Sequence, residues 1–521
     1  MTTDIVVSRM VWLSQSLLIY LTKGACPMNS SRYLPVVLLL GIVGLCSLPA
    51  SAGDQMQSRP LPPIPLSVDE IHAWIDRTHP LLRGAGTEKM MARGKMLKAL
   101  GAFEPTLIND TELERFISSS DPGRGTQTAG FNDTLIEARH PLGFRYSAGV
   151  RQAIGNATIP DLSFGGGNNQ VLLGGFFPLL RGLMTNPEQA ELQRSELADP
   201  RAEVQISQTR QDLFLAAATQ FWDWVTAVKL ADVQRRAVGV AEDRYRQVEG
   251  RAKAGAIAPL DVVEANQEVQ RRREVAIAVQ RLVEQEQLKL SLFLWENNSP
   301  VAPPLDRVPD FPSQMLMPTS DTIQAQKLQA TVDRPEIKEV GIEAKLNDID
   351  LELAKNTLLP SLDVEAAPAR SPEKFILGLG YRFGVELKIP LFQRRGRGEV
   401  LEAQGKAERF VLMQLFREQQ VIVDVDNALS AMERAKERVA VAAESLRLAK
   451  TLEEGERFRF SLGATSVLFV NLRERNSVDS ENQVIRAKAD YQKAQALYQW
   501  AIGAWAPPPP FATPITYRTR G

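Results

Sequence analysis

The chain has 521 residues, 44% of them hydrophobic and 24% charged, with a formal net charge of −1. That balance belongs to a folded protein, and the near-zero charge removes the electrostatic basis for nucleic-acid binding. The only cysteines are Cys26 and Cys46, too few for a disulfide framework.

The N-terminus reads as an export signal. From Met28, Arg32 supplies a basic start, Leu34 to Leu48 an apolar stretch, and Ala50-Ser51-Ala52 a small-residue cleavage site. Residues 1–52 are therefore the signal region, with cleavage before Gly53. Met28 begins a complete signal alone and is an alternative start. Lipidation of Cys46 is the competing reading, opposed by the bulky Leu45 before it. Cleavage removes both cysteines, so the exported chain has no thiol chemistry and is held by packing.

After a linker over 53–66, the chain states its pattern twice. "THPLLRGAGTEKMMARGKMLKALGAFEPTL" (Thr78–Leu107) is echoed by "DRPEIKEVGIEAKLNDIDLELAKNTLLPSL" (Asp333–Leu362), with Pro80 matching Pro335 and Pro105 matching Pro360. Further on, Pro178 matches Pro390 and Gly255 matches Gly463. The first repeat occupies 67–300, a Pro-rich linker 301–320, the second repeat 321–505 and a Pro-rich tail 506–521. Between Pro105 and Pro178 the first copy is longer than the second between Pro360 and Pro390. The excess includes the polar "SSSDPGRGTQTAGFNDT" and reads as an inserted loop.

Each copy runs helix, β-like segment, very long helix, Gly break, shorter helix. "GFRYSAGVR" sets Phe144, Tyr146, Ala148 and Val150 against Arg145, Ser147, Gly149 and Arg151, and "GLGYRFGVELKIPLF" alternates likewise from Leu379 to Ile389. Partner strands are expected near Val171–Pro178 and Ser361–Pro368, making two per copy. Strands of about ten residues with one apolar and one polar or small face suit a membrane barrel. A half-buried soluble sheet is the other reading of an isolated segment; the export signal favours the barrel. Four strands cannot close a barrel, and lipid does not tolerate open edges, so the chain is expected to oligomerise.

Asn186-Pro187-Glu188-Gln189 is a capped helix start, and Pro200 predicts a kink or restart. Ala217, Phe221, Trp224, Val228 and Ala231 step by four and three, the seam of a coiled coil. That assigns Trp224 and its neighbour Trp222 to packing. The second copy is expected to run from Arg397 to Phe460. Return helices Pro259–Trp295 and Val467–Gly503 follow the Gly breaks, giving two tall helical hairpins.

Catalytic signals are missing. No zincin, nucleophile-elbow or P-loop spacing occurs, so no enzyme, cofactor or metal site is expected. His72 and His79 are placed on one helix face, with no third metal ligand in sequence reach. "FGGGNNQ" (Phe164–Gln170) lacks a following Lys-Ser/Thr and reads as a hairpin turn. Arg394, Arg395 and Arg397 in "QRRGRG" suit a membrane–periplasm boundary, where they meet lipid phosphates, or an ordinary solvated helix start.

This duplicated order behind a signal peptide resembles the TolC-type outer-membrane efflux protein family over residues 66–505. The resemblance is carried by "LSVDE…HPLL", by the two "Pro-Leu-x…Arg-Gly" strand-to-helix junctions, and by the spacing of Gly255, Asp261 and Glu264. It implies a mainly α fold with a small membrane β part. Duplicated long helical hairpins would form a periplasmic α-barrel, and four strands per chain would join a trimeric 12-stranded transmembrane β-barrel. It further implies a passive exit duct of a tripartite efflux or type I secretion system: a homotrimer in outer-membrane lipid, docking through a periplasmic adaptor to an inner-membrane pump. An adaptor-like or structural periplasmic coiled coil is the alternative; an adaptor is expected to show one hairpin in a β-rich module, and this chain shows two.

On that resemblance the Gly breaks become periplasmic tips. Gly255, Ala256, Gly463 and Ala464 fall at the adaptor-docking turns, and Asp261, Glu264, Arg459, Thr465, Phe469 and Leu472 at the aperture. The second copy carries Phe469 and Leu472 where the first carries Asp261 and Glu264, so the expected closed state combines an Asp261–Arg459 contact with apolar packing. Asp261 and Glu264 also suit a plain acidic helix start.

Overall fold

The computed structural model describes residues 64–117, 123, 125–155, 169–368 and 381–506. The signal region with Cys26 and Cys46, most of the "FGGGNNQ" stretch and the tail from 507 lie outside the described residues. Helix α1 (Val68–Thr78) begins at Ser67, whose hydroxyl accepts from the Glu70 N–H at 3.1 Å. Helix α2 (Pro80–Leu100) starts afresh with Pro80 in its first turn. The expectation that His72 and His79 share a helix is thereby corrected. The residue before a proline is pushed out of the α region, and His79 is extended, with ψ 125°.

Four strands follow: β1 (Thr106–Ile117), β2 (Thr126–Arg139), β3 (Arg145–Gly155) and β4 (Asn169–Pro178). The second repeat adds β5 (Ser361–Pro368) and β6 (Tyr381–Lys388). All six form one sheet in the order β1-β2-β3-β4-β5-β6, every pair antiparallel. Two strands per repeat and an inserted loop were expected; the insertion is instead a hairpin of the sheet itself. Its central residues are polar on both faces, Asn109, Thr111, Asn132 and Thr134 on one and Asp110 and Asp133 on the other, so the alternation that marks a strand is missing from the sequence.

Below the sheet stand the helices. Asn186 caps α3 (Pro187–Glu196) by accepting from the Gln189 N–H at 2.8 Å. Pro200 then falls in the first turn of α4 (Ala198–Lys253), a restart, where its missing N–H costs nothing. Helix α5 (Pro259–Ser291) returns antiparallel to α4. In the second repeat, α6 (Ser320–Asp333) and α7 (Pro335–Thr357) lead to the sheet, and α8 (Arg394–Ser461) and α9 (Val467–Ala501) form the second hairpin. At about 1.5 Å per residue, α4 is roughly 84 Å long and α8 roughly 100 Å.

The main core lies where α1 crosses the first hairpin. Ile71 and Ile75 pack with Phe214, Ala217, Phe221, Trp224, Leu290 and Leu294; of the predicted seam residues, Ala217, Phe221, Trp224 and Ala231 are buried and Val228 is partly buried. A second core joins Val425, Ala428 and Met432 of α8 to Tyr491 and Tyr498 of α9. The Pro-rich linker is bound to it through the Tyr491 hydroxyl, which donates to the Leu316 carbonyl at 2.8 Å. Among the described residues, no helix is long and apolar enough to cross a membrane.

Candidate functional site

Both hairpin tips are closed by the same hydrogen bonds. At the end of α4, the Gly255 N–H donates to the Ala252 carbonyl at 3.0 Å and the Ala256 N–H to the Arg251 carbonyl at 2.9 Å. At the end of α8, Gly463 donates to Phe460 at 3.0 Å and Ala464 to Arg459 at 2.9 Å. This paired closure requires a left-handed residue just past the helix, and Gly255 and Gly463 both have φ +74°. Glycine adopts that conformation without a Cβ penalty. The repeated Gly-Ala therefore marks the same chain reversal made twice.

Within one chain the tips pack together. Val248, Ala265, Phe460, Val467 and Val470 form a buried cluster. Arg251 lies over the Phe460 ring, 5.1 Å from its centroid, and donates to the Phe460 carbonyl at 3.2 Å. A cation there satisfies the carbonyl-rich end of α8.

Two buried carboxylates tie the hairpins to each other. Glu474 on α9 accepts from Arg244 on α4 at 2.6 Å and from Arg457 on α8 at 3.0 Å. Glu268 on α5 accepts from Arg272 at 2.8 Å and from the Arg475 Nε on α9 at 3.0 and 3.1 Å. Burial pushes the Glu474 carboxyl above the ordinary carboxylate range, against the pull of Arg244 and Arg457. Sequence reasoning missed Glu268, Arg272, Glu474 and Arg475, because charges on a long coiled-coil helix carry no mark of which face is covered.

The expected aperture residues sit close to these pairs. Asp261 and Glu264 lie in the first turns of α5, both half-buried. Burial first, and the Asp261 charge second, raise the Glu264 pKa, while Arg475 opposes them. One Glu264 carboxylate oxygen is buried without a hydrogen-bond partner. Arg459 does not pair with Asp261 within the chain. It reaches Glu456 on its own helix, at 3.6 Å, because the two share a face one turn apart. Thr465 is half-buried in the second turn, and Phe469 and Leu472 remain 53% and 43% exposed. Gly255, Ala256, Gly463 and Ala464 are exposed at the tips.

His72 and His79 serve packing and backbone hydrogen bonding. His72 stacks on Phe214, and its Nε2 meets the Phe214 carbonyl at 3.1 Å; the His79 Nε2 meets the Leu292 carbonyl at 3.1 Å. Carbonyl partners require Nε2 to be the donor, and burial lowers both pKa values. Among the described residues, no group of three or more His, Cys, Asp or Glu side chains could hold a metal. Arg394 lies over the exposed Phe392 ring, and Arg395 pairs with Glu399 at 2.9 Å.

The sheet has two unlike faces. Tyr146 and Val150 of β3, Leu173 of β4 and Phe383, Val385 and Leu387 of β6 are all exposed on one of them. The other carries Asp133, Arg145, Arg151, Asp363, Glu386 and Lys388, with Asp133 and Arg151 in a bidentate pair at 2.6 and 2.7 Å. An exposed apolar sheet face backed by a charged one, and joined to two tall hairpins, is an inside-out arrangement for a water-soluble domain.

No family model matches the chain. Over 185 residues it is 27% identical to the nodulation protein T of Rhizobium leguminosarum bv. trifolii, a match spanning 33% of this chain and 38% of that relative's length. Its architecture matches the CmeC outer membrane channel of Campylobacter jejuni with a TM-score of 0.61, at 12% identity, over 84% of this chain and 85% of the other. It also matches the open state of the MtrE outer membrane channel of Neisseria gonorrhoeae, with a TM-score of 0.59 at 16% identity, over 84% and 88%. The chain has the fold of the TolC-type outer-membrane channels. Within that TolC-type architecture, the sheet of this chain has six strands among the described residues, where four were expected.

Proposed function

We propose that the chain is the outer-membrane exit duct of a tripartite efflux or type I secretion system. It assembles as a homotrimer and passes substrates passively from the periplasm or an inner-membrane pump to the outside. The observation that carries this reading is the junction of two elements in one chain: a sheet whose exposed face is apolar, and two hairpins of roughly 80–100 Å. The sheet sits in lipid, since its exposed side chains satisfy hydrocarbon and not water. The hairpins reach into the periplasm and end in the Gly255 and Gly463 turns, which offer a periplasmic adaptor two similar docking points. Arg394 and Arg395, which open α8 just after the exposed Phe392, lie where lipid phosphates begin.

The aperture lies at the tips. Asp261, Glu264, Arg459, Thr465, Phe469 and Leu472 gather around it when three copies meet, with the exposed Phe469 and Leu472 supplying an apolar constriction and Asp261 facing Arg459 of a neighbouring copy. The test is cell fractionation followed by extraction in mild detergent. The protein should be found in the outer membrane and run as a trimer that collapses to monomer on heating. A stable monomer, or a protein recovered in the soluble periplasmic fraction, overturns the reading.

A further inference from the structure

We infer that the β1–β2 hairpin is part of the membrane wall, so that three copies close an 18-stranded barrel by pairing β1 of each chain with β6 of the next. The inference rests on the trimeric duct proposed above and goes beyond it in strand number and in the identity of the closing edges.

The hairpin is continuous with the sheet. β2 and β3 are paired from Ala129↔Gly155 to Arg139↔Arg145, and the Asp133–Arg151 pair bridges them on the charged face. The hairpin also obeys the sheet's division of faces. Leu107, Leu113 and Ile136 lie exposed on the apolar side, while Asp110 and Glu112 join Asp133 on the charged side. Arg115, opposite Thr128 near the turn end of the hairpin, is the one charged residue on its apolar side; the central polar residues carry no charge and hydrogen-bond to one another. Asn109 donates to Asn132 at 2.9 Å and to Thr134 at 2.6 Å, and Asn132 donates to Thr111 at 2.9 Å. A closed amide–hydroxyl ladder of this kind is tolerated in hydrocarbon, where an unpaired polar group is not.

The edges determine the partner. Among the described residues, β1 pairs only with β2 and β6 only with β5, leaving one line of unpaired backbone groups at each side. With six alternating strands, β1 and β6 run in opposite directions, so the β6 edge of one copy meets the β1 edge of the next in an antiparallel ladder. The contact is head-to-tail and closes as a ring. Barrels of 16–18 strands leave an aqueous channel, which moves the narrowest point of the duct from the wall to the helical tips.

Disulfide pairing tests this in a chain with Cys26 and Cys46 replaced by serine. Asn109→Cys on β1 is combined in turn with Phe383→Cys, Val385→Cys or Leu387→Cys on β6, three positions that sample the register. Within one chain β1 and β6 are five strands apart, about 24 Å, so a bond forms only between copies. Oxidised outer membranes should give dimer and trimer bands from at least one Asn109 pair and none from Val150→Cys combined with the same β6 positions. Bonds from the Val150 pairs alone place the hairpin outside a 12-stranded wall and overturn the inference. So does the absence of bonds from either set while a heat-sensitive trimer persists; a monomer in mild detergent overturns the duct itself. As an independent measure without substitutions, end-on electron-microscopy averages should show a wall roughly 1.5-fold wider than 12 strands allow, since diameter grows with strand number. The narrower ring contradicts the inference.

Discussion

The Arg475 guanidinium on the second hairpin clasps the Glu268 carboxylate on the first, with its Nε 3.0 and 3.1 Å from the two carboxylate oxygens. Glu268 is 3% exposed and also holds Arg272. The two arginines are therefore not equivalent: Arg272 is buried, whereas Arg475 is partly exposed and is the one that crosses between hairpins.

Removing the carboxylate leaves a buried guanidinium unpaired, so Glu268→Ala should destabilise the chain by about 3–5 kcal/mol. Arg475→Ala should cost less, because Glu268 retains Arg272. Chemical denaturation of both variants checks the order. Equal losses, or a larger loss for Arg475→Ala, contradict the assignment.

Glu264 gives a pH dependence of known sign. Its folded pKa lies above the ordinary 4.5, so the folded chain holds this proton more tightly than the unfolded chain. The contribution is fully present below 4.5 and is lost as pH rises through the folded value. Glu264→Gln removes the titration. Its melting temperature should equal or exceed that of the parent at neutral pH, with the gap closing as pH falls towards 4.5. A gap that is constant over that range counts against the buried carboxyl.

Gly255→Ala and Gly463→Ala each force a Cβ into φ +74°, with no steric clash added, since nothing lies within 4 Å. Each should cost about 1–2 kcal/mol, and asparagine at either position should cost less, because it tolerates the left-handed region. Thermal melts check this. Alanine variants as stable as the parent contradict the closure.

The repeat, the caps, the long helices and both Gly reversals were legible because each depends on local chemistry: a proline, an Asx cap or a residue with positive φ. The β1–β2 hairpin was not, since its polar ladder hides the period of two. Asp261 and Glu264 were singled out as aperture candidates from their motif alone. The Arg244–Glu474 and Glu268–Arg475 pairs were not, because a partner more than 200 residues away leaves no local trace.

The aperture residues make unequal predictions. A partly exposed Asp261–Arg459 contact between copies is worth about 0–1 kcal/mol per subunit, which biases a gate without locking it. Asp261→Ala should raise single-channel conductance modestly. Phe469→Ser with Leu472→Ser should raise it more, by removing a dewetting constriction. Unchanged conductance and salt dependence in both variants place the constriction elsewhere.

The claim that this chain is a duct is tested most directly by the conductance of the purified protein in planar lipid bilayers. The account predicts discrete, long-lived conductance steps from the heat-sensitive trimer, enlarged when Phe469 and Leu472 are both serine. A trimer that enters the bilayer but passes no current, in the parent and in that double variant alike, would contradict it.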